Sequence, residues 1–151
     1  MVLFSKDKRE KIPSPNRRLP QKAQDLLDIS PAQFEKMVVE LYGIRGYSAK
    51  QIGATGDHGV DVVVQTPKGE KWIVRCKKWR GSVGEPVVRE FFGTMHHEKA
   101  DRGILVTTGT FTRQAREWAK GKPLSLVDGK EFLATWKKEK GQQTSNSHPQ
   151  P

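Results

Sequence analysis

Residues 60–77, Val60-Asp61-Val62-Val63-Val64-Gln65-Thr66-Pro67-Lys68-Gly69-Glu70-Lys71-Trp72-Ile73-Val74-Arg75-Cys76-Lys77, decide the architecture. Two runs rich in β-branched residues flank a turn in which Pro67 suits the second position of a type I turn and Lys68 the third. Gly69 then takes the left-handed position that closes a three-residue hairpin loop with a bulge. That turn makes Thr66 face Glu70, Val63 face Ile73 and Asp61 face Arg75, with Lys77 diagonally beyond on the face of Asp61. A loop one residue shorter or longer would send Lys77 to the other face. Residues 60–64 carry valines on both faces, which marks a central strand covered on both sides.

Outward from the hairpin, helices and strands alternate. Ser30-Pro31-Ala32-Gln33 combines a capping Ser, a Pro at the first helical position and a Gln three residues after the cap. Phe34, Met37, Val38 and Leu41 follow at helical spacing, so a helix is predicted over about 31–44. A short strand near 47–52, a loop over 53–59, and the hairpin come next. Then follow a helix over 84–98, a buried strand over 103–107, a helix over 112–119, a strand over 124–127 and a helix over 130–138. This order predicts an α/β fold with a mixed β-sheet flanked by helices on both faces. Residues 1–22 hold seven Lys and Arg, two Asp and Glu and three prolines, the composition of a flexible basic arm. Residues 141–151 are polar and contain Pro, so a disordered tail is predicted there and the folded unit is placed at 23–140.

The whole chain of 151 residues suits one domain with a core of its own. Its 27 Lys and Arg against 17 Asp and Glu give +10, of which the arm supplies about half. An excess of this size suits a polyanion such as nucleic acid. With 34% hydrophobic residues and a mean hydropathy of −0.70, the sequence has no apolar run able to span a bilayer. The opening residues turn charged too soon for a secretion signal, and the single cysteine, Cys76, excludes a disulfide framework and a Cys-based zinc site. A cytoplasmic protein with no membrane partner is expected.

Asp61 and Lys77 on neighbouring strands of a covered sheet are costly to bury without partners. They can form a structural ion pair. They can also form a nuclease centre, in which the Asp holds Mg²⁺ and the Lys stabilises charge on phosphorus or orients the attacking water.

The blocks Gly56-Asp57-His58-Gly59-Val60-Asp61-Val62-Val63, Val74-Arg75-Cys76-Lys77-Lys78-Trp79, Val83-Gly84 with Val88-Arg89-Glu90, and Gly103-Ile104-Leu105-Val106-Thr107-Thr108-Gly109 with Phe111-Thr112 and Ala115 occur in this order. Together they resemble the catalytic domain of the Mrr-type restriction endonucleases, within the PD-(D/E)xK nuclease superfamily, over about residues 30–133. The resemblance implies a restriction-endonuclease-like fold and endonucleolytic cleavage of double-stranded DNA with Mg²⁺, for which Mn²⁺ can substitute. It also implies a frequent preference for methylated DNA. By position it makes Asp61 the metal-binding Asp, Lys77 the catalytic Lys and Glu35 a further acid of the metal site, alternatively a solvated helix charge. One position departs from the pattern, because Arg75 stands where Gln or Glu is usual, and a guanidinium cannot ligate a metal. It could pair with Asp61 or contact the scissile phosphate. Asp61 is then left with Glu35 and the backbone carbonyl of Cys76 as protein partners for the metal. The alternative to an endonuclease is therefore a weakened or inactive DNA-binding module of the same fold, and a third reading is a protein-interaction domain with incidental charge. Cutting both strands with one site per chain would favour a homodimer.

Residues 71–80 hold five basic residues, no acidic ones and two tryptophans, a composition that suits nucleic acid. Trp72 is assigned to the core, and Lys78, Trp79 and Arg80, with Arg75, are candidate DNA contacts. Thr108 and Thr112 follow a buried strand and open a helix, where hydroxyls and helix N–H groups can hold phosphate, although Thr112 can also simply cap that helix. Arg113 and Arg116 are solvated charges or phosphate contacts. Asp57, in the Gly-rich loop, is placed by the resemblance at the mouth of the site. His96 and His97 diverge on their helix and lack a carboxylate-rich partner, so they are assigned to the surface. Cys76 is assigned to the core as a small apolar residue.

Overall fold

The computed structural model describes residues 20–52 and 59–146. The basic arm up to residue 19, loop residues 53–58 with Asp57, and residues 147–151 lie outside the described residues. A short 3-10 helix, Ala23–Asp28, precedes α1 (Pro31–Ile44), β1 (Ser48–Gln51), β2 (Val62–Gln65), β3 (Lys71–Lys77), β4 (Ser82–Val83) and α2 (Glu85–His97). The chain continues through β5 (Arg102–Thr107), β6 (Thr110–Phe111), α3 (Arg113–Ala119), β7 (Leu124–Val127) and α4 (Gly129–Asn146).

Five strands form one sheet in the order β1-β2-β3-β5-β7. The pairings β1-β2 and β2-β3 are antiparallel, whereas β3-β5 and β5-β7 are parallel. The mixed sheet follows from the connections. A tight turn joins β2 to β3, and α2 and α3 carry the chain across to β5 and β7. The turn is the one the sequence predicts: Gly69 has φ +87°, its N–H bonds to Thr66 O at 2.9 Å, and Thr66 N–H bonds to Glu70 O at 3.0 Å. Val63 consequently pairs with Ile73, as predicted.

Each face of the sheet has its own core. Val62, Val64, Val74, Ile104 and Val106 pack with Phe34, Val38 and Leu41 of α1 and Phe132, Leu133 and Trp136 of α4. Ile73 and Leu105 point the other way, onto Val88, Phe91 and Met95 of α2 and Ala115 and Ala119 of α3. The helix start at Ser30 is also as predicted, with Ser30 Oγ accepting from Gln33 N–H and Gln33 Oε1 accepting from Ser30 N–H.

Two parts differ from expectation. The last helix runs to Asn146, so residues 141–146 are helical rather than the start of a disordered tail. Phe132 and Trp136 anchor this helix in the core, and it extends through Gln142 and Gln143 before the first proline, Pro149. The residues just before α2 and just after β5 also hold a small parallel sheet, β4-β6, which sequence periodicity reads as loop because each strand is two residues long. Among the described residues no helix is long and apolar enough to cross a membrane.

Candidate active site where β2 and β3 part

The ladder between β2 and β3 is regular from Gln65 back to Val62, which pairs with Val74. At Asp61 it changes, because Asp61 N–H also bonds to Val74 O, at 2.9 Å. Two successive residues of one strand against one residue of its neighbour make a β-bulge. The pairing of Asp61 with Arg75 expected from the turn is therefore corrected. The shift also explains why Val60 packs in the α2-side core although Val62 and Val64 pack in the α1-side core.

The bulge sets the position of the carboxylate. Asp61 Oδ2 accepts from the backbone N–H of Cys76 at 2.7 Å, where a regular ladder would place a backbone carbonyl. In an extended strand the N–H and C=O of one residue point to the same side. The Cys76 carbonyl is thus directed into the gap that holds Asp61, while Lys77 turns to the opposite neighbour, accepting from Thr108 N–H at 3.1 Å. Glu35 lies on α1, one residue after the buried Phe34, and its Oε2 accepts from Gln51 Nε2 at 2.7 Å. Burial, and then the charges of Asp61 and Glu35, push the Cys76 thiol well above its usual pKa. Those influences place both carboxylates in electrostatic reach of Cys76, and they leave its sulfur a neutral, packed group, as assigned.

The candidate donors on these elements are the Asp61 and Glu35 carboxylates and the Cys76 backbone carbonyl. They suit a hard cation that keeps several waters, Mg²⁺ or Mn²⁺, and not a soft metal. Among the described residues no group of three or more His, Cys, Asp and Glu side chains converges. Arg75, where a third ligand would be usual, leans over Gly59 and places Nη1 3.8 Å from Glu90 Oε1 on α2. That nitrogen is buried with no hydrogen-bond partner among the described residues.

Lys77 ends β3, its Nζ 5.8 Å from the centre of the Trp79 ring. Trp79 is 51% exposed, and Lys78 and Arg80 flank it. No acidic side chain among the described residues forms an ion pair with Lys77, Lys78 or Arg80. Thr108 is placed otherwise than expected. It is 5% exposed, and its hydroxyl accepts from Trp79 N–H at 2.8 Å and donates to Trp79 O at 2.9 Å. The hydroxyl's one proton, which a phosphate contact would require, is given to Trp79 O, and Thr108 positions the Trp79 backbone instead. Thr112 caps α3, accepting from Ala115 N–H at 3.1 Å. Arg116 is bound to Asp128 at 2.9 Å, and Arg113, largely exposed, lies 3.9 Å from Glu117. His96 and His97 are exposed in the last turn of α2, His96 against Phe92.

Gln51, Glu90 and Gly109 were not evident in the sequence. Gln51 could have been found from the β1-β2 register, which pairs it with Val62 beside Asp61, but no turn chemistry reveals that register.

Residues 26–136 match the family model of the Mrr catalytic domain, described as a restriction endonuclease. The type IV methyl-directed restriction enzyme EcoKMrr of Escherichia coli K12 is 36% identical over 118 residues, which are 73% of this chain and 39% of that protein. The chain spans less than half the length of the curated relatives it matches. Among solved structures, the DNA modification-dependent restriction endonuclease AspBHI superposes with a TM-score of 0.58 at 19% identity, covering 84% of this chain and 41% of that one. The MspJI restriction endonuclease in complex with a 27-mer oligonucleotide gives 0.54 at 22% identity, covering 75% and 30%. These two show the shared fold, a mixed sheet between helices, and the family match over residues 26–136 establishes that this chain belongs to the Mrr-type restriction endonucleases.

Proposed function

We propose that this domain hydrolyses phosphodiester bonds of double-stranded DNA in the cytoplasm, with Mg²⁺, or Mn²⁺ in its place. The observation that carries the reading is the bond from Cys76 N–H to the Asp61 carboxylate. It holds the Asp61 carboxylate against β3 at Cys76, the residue that precedes Lys77 in the chain. Asp61, Glu35 and the Cys76 carbonyl would hold the cation, which when bound supplies Lewis-acid polarisation of the phosphate and a more acidic water. Lys77 orients the attacking water and offsets charge on the phosphate oxygens. Lys78, Arg80 and Trp79, with the α3 start at Thr112, hold the DNA strand, and Arg75 supplies a further cation near its backbone. A homodimer would bring one such site to each strand.

The test is incubation of supercoiled plasmid with Mg²⁺ or Mn²⁺, on methylated and unmethylated DNA. Metal-dependent nicking is expected, with Lys77→Ala lowering the rate about 10²–10³-fold, the usual loss of one electrostatic stabiliser. Arg75 in place of a third ligand, half-buried with its Nη1 enclosed, supports a second reading, a DNA-binding module that does not cut. Tight binding with no cleavage by either protein would establish that reading instead. Preference for methylated plasmid would extend to this chain the property in the name of its E. coli relative.

A further inference from the structure

The segment between β3 and β4 is held at Trp79, Gly81 and Ser82. Thr108 bonds both the N–H and the C=O of Trp79, and Thr110 N–H bonds to Gly81 O at 3.1 Å. Ser82 Oγ and Thr110 Oγ1 lie 2.7 Å apart. Gly109 approaches so closely that a Cβ there would fall 2.2 Å from Gly81 O and 2.8 Å from Trp79 O. On this fixed backbone the Trp79 indole is left 51% exposed, and it is the exposed large hydrophobic residue among the described residues.

The indole forms one wall of a cleft of about 470 Å³ lined by Leu27, Lys78, Trp79, Arg80 and Gly81. Leu27 comes from the 3-10 helix, so the cleft lies between two elements far apart in sequence. Its chemistry is an aromatic face, an aliphatic side chain and two cations, with Lys77 5.8 Å from the ring on the side of the candidate site. A protein partner would more readily meet an aromatic residue whose neighbours are depleted of charge. A flat ring bearing a phosphate matches this combination instead, with the base on the indole and the phosphate between Lys78 and Arg80. Bases inside a duplex have both faces stacked already. The indole can therefore be covered only by a base without that stacking.

We propose that the cleft between Leu27 and Trp79 binds one unpaired nucleotide beside the cleavage site, its base stacked on Trp79, so that DNA with an unpaired stretch is preferred to continuous duplex. The proposal rests on the reading above in taking DNA as the partner, and it does not require cleavage.

Its test is fluorescence anisotropy at about 0.1 M salt in chelator, with a blunt duplex and a duplex bearing a single-stranded overhang, matched in number of phosphates. The wild-type protein is expected to bind the overhang DNA about tenfold more tightly, in the range of one stacked base. Trp79→Ala should abolish that difference by weakening overhang binding more than blunt-duplex binding, while Trp79→Phe keeps part of it. An unchanged thermal midpoint for Trp79→Ala is expected because the side chain is exposed, and the Phe variant decides the matter if it is not. Equal binding of both DNAs by the wild type, or an equal loss on both in Trp79→Ala, overturns the proposal. Plasmid nicking in parallel separates the two readings: nicking without overhang preference overturns the stacking site alone, and no binding of either DNA overturns both.

Discussion

β3 carries a tryptophan near each end, and the two are treated in opposite ways. Trp72, at the start, has Tyr42 and Tyr47 edge-on at 6.3 and 5.3 Å, Arg102 at 5.8 Å, and its indole N–H donated to Glu70 Oε2 at 2.9 Å. Trp79, just past the end, has Lys77 at the same 5.8 Å but half of its surface in solvent. The cations follow the same division. Lys71 donates to Glu98 O at 2.9 Å, its Nζ is 3.8 Å from Glu98 Oε2, and its backbone N–H is held by Asp101. Lys77, Lys78 and Arg80 have no such acid among the described residues. Aromatic rings and cations occur together at both ends, so their composition alone does not distinguish a closed structural corner from a binding surface. What distinguishes them is whether the protein supplies the partners.

The comparison is broken most directly at Gly109. If the exposed position of Trp79 is imposed by the backbone beneath it, Gly109→Ala must push Gly81 O and Trp79 O away, since neither is a flexible side-chain end. A destabilisation of about 1–3 kcal/mol is expected in urea unfolding, typical of overpacking, together with weaker DNA binding. Gly43→Ala is the control. It lies in α1 with nothing within 4 Å of the added methyl, so it should raise stability by up to about 1 kcal/mol. Unchanged stability and binding in Gly109→Ala would mean that Trp79 is not held by this approach.

The closed end offers a test in alkali. Burial is the main cause that pushes the Tyr42 phenol up to about 12, from an ordinary value of 10.0. The folded state thus holds its proton more tightly than the unfolded chain, so this contribution is complete below about pH 10 and is lost as pH rises towards 12. Near pH 11 the loss should be about 1.4 kcal/mol, one unit of linkage. Tyr42→Phe keeps the ring against Trp72 and should flatten that part of the stability profile. Parallel profiles for wild type and variant between pH 9 and 12 would show that water already reaches the phenol, and that Trp72 is less enclosed than its neighbours suggest.

How much of this was legible in the sequence depends on the range of the interaction. The hairpin register from Gln65 to Val62 was readable because Pro67 and Gly69 fix the turn locally. The helix at Ser30 and the valine runs were readable for the same reason. At Asp61 local rules fail, because the bulge is set where Asp61 meets Val74 and Cys76 and not by the turn. Asp61, Lys77 and Glu35 are candidates by residue type and by their positions in the family resemblance. The turning of Arg75 to Glu90, the role of Gln51 beside Glu35 and the Thr108 clamp on Trp79 depend on elements that meet only in the fold. Trp72 and Trp79 could be told apart in advance, since Trp72 alternates with Val74 and Cys76 along the strand and Trp79 lies beyond it.

The smallest effects distinguish the two ends most cleanly, because they differ in kind. Lys71→Ala removes a partly exposed contact with Glu98 and should cost at most about 1 kcal/mol of folding stability, with the salt dependence of DNA binding unchanged. Lys78→Ala removes a cation that no acid among the described residues holds. Its expected effect is nil on stability and, for one lost phosphate contact, a slope of log affinity against log salt shallower by about 0.9. Unfolding curves and salt titrations on both variants check the pair. If Lys71→Ala changes the salt slope and Lys78→Ala does not, the assignment of the two ends is reversed: DNA would lie along the start of β3, and the open cleft at Trp79 would be a surface without that ligand.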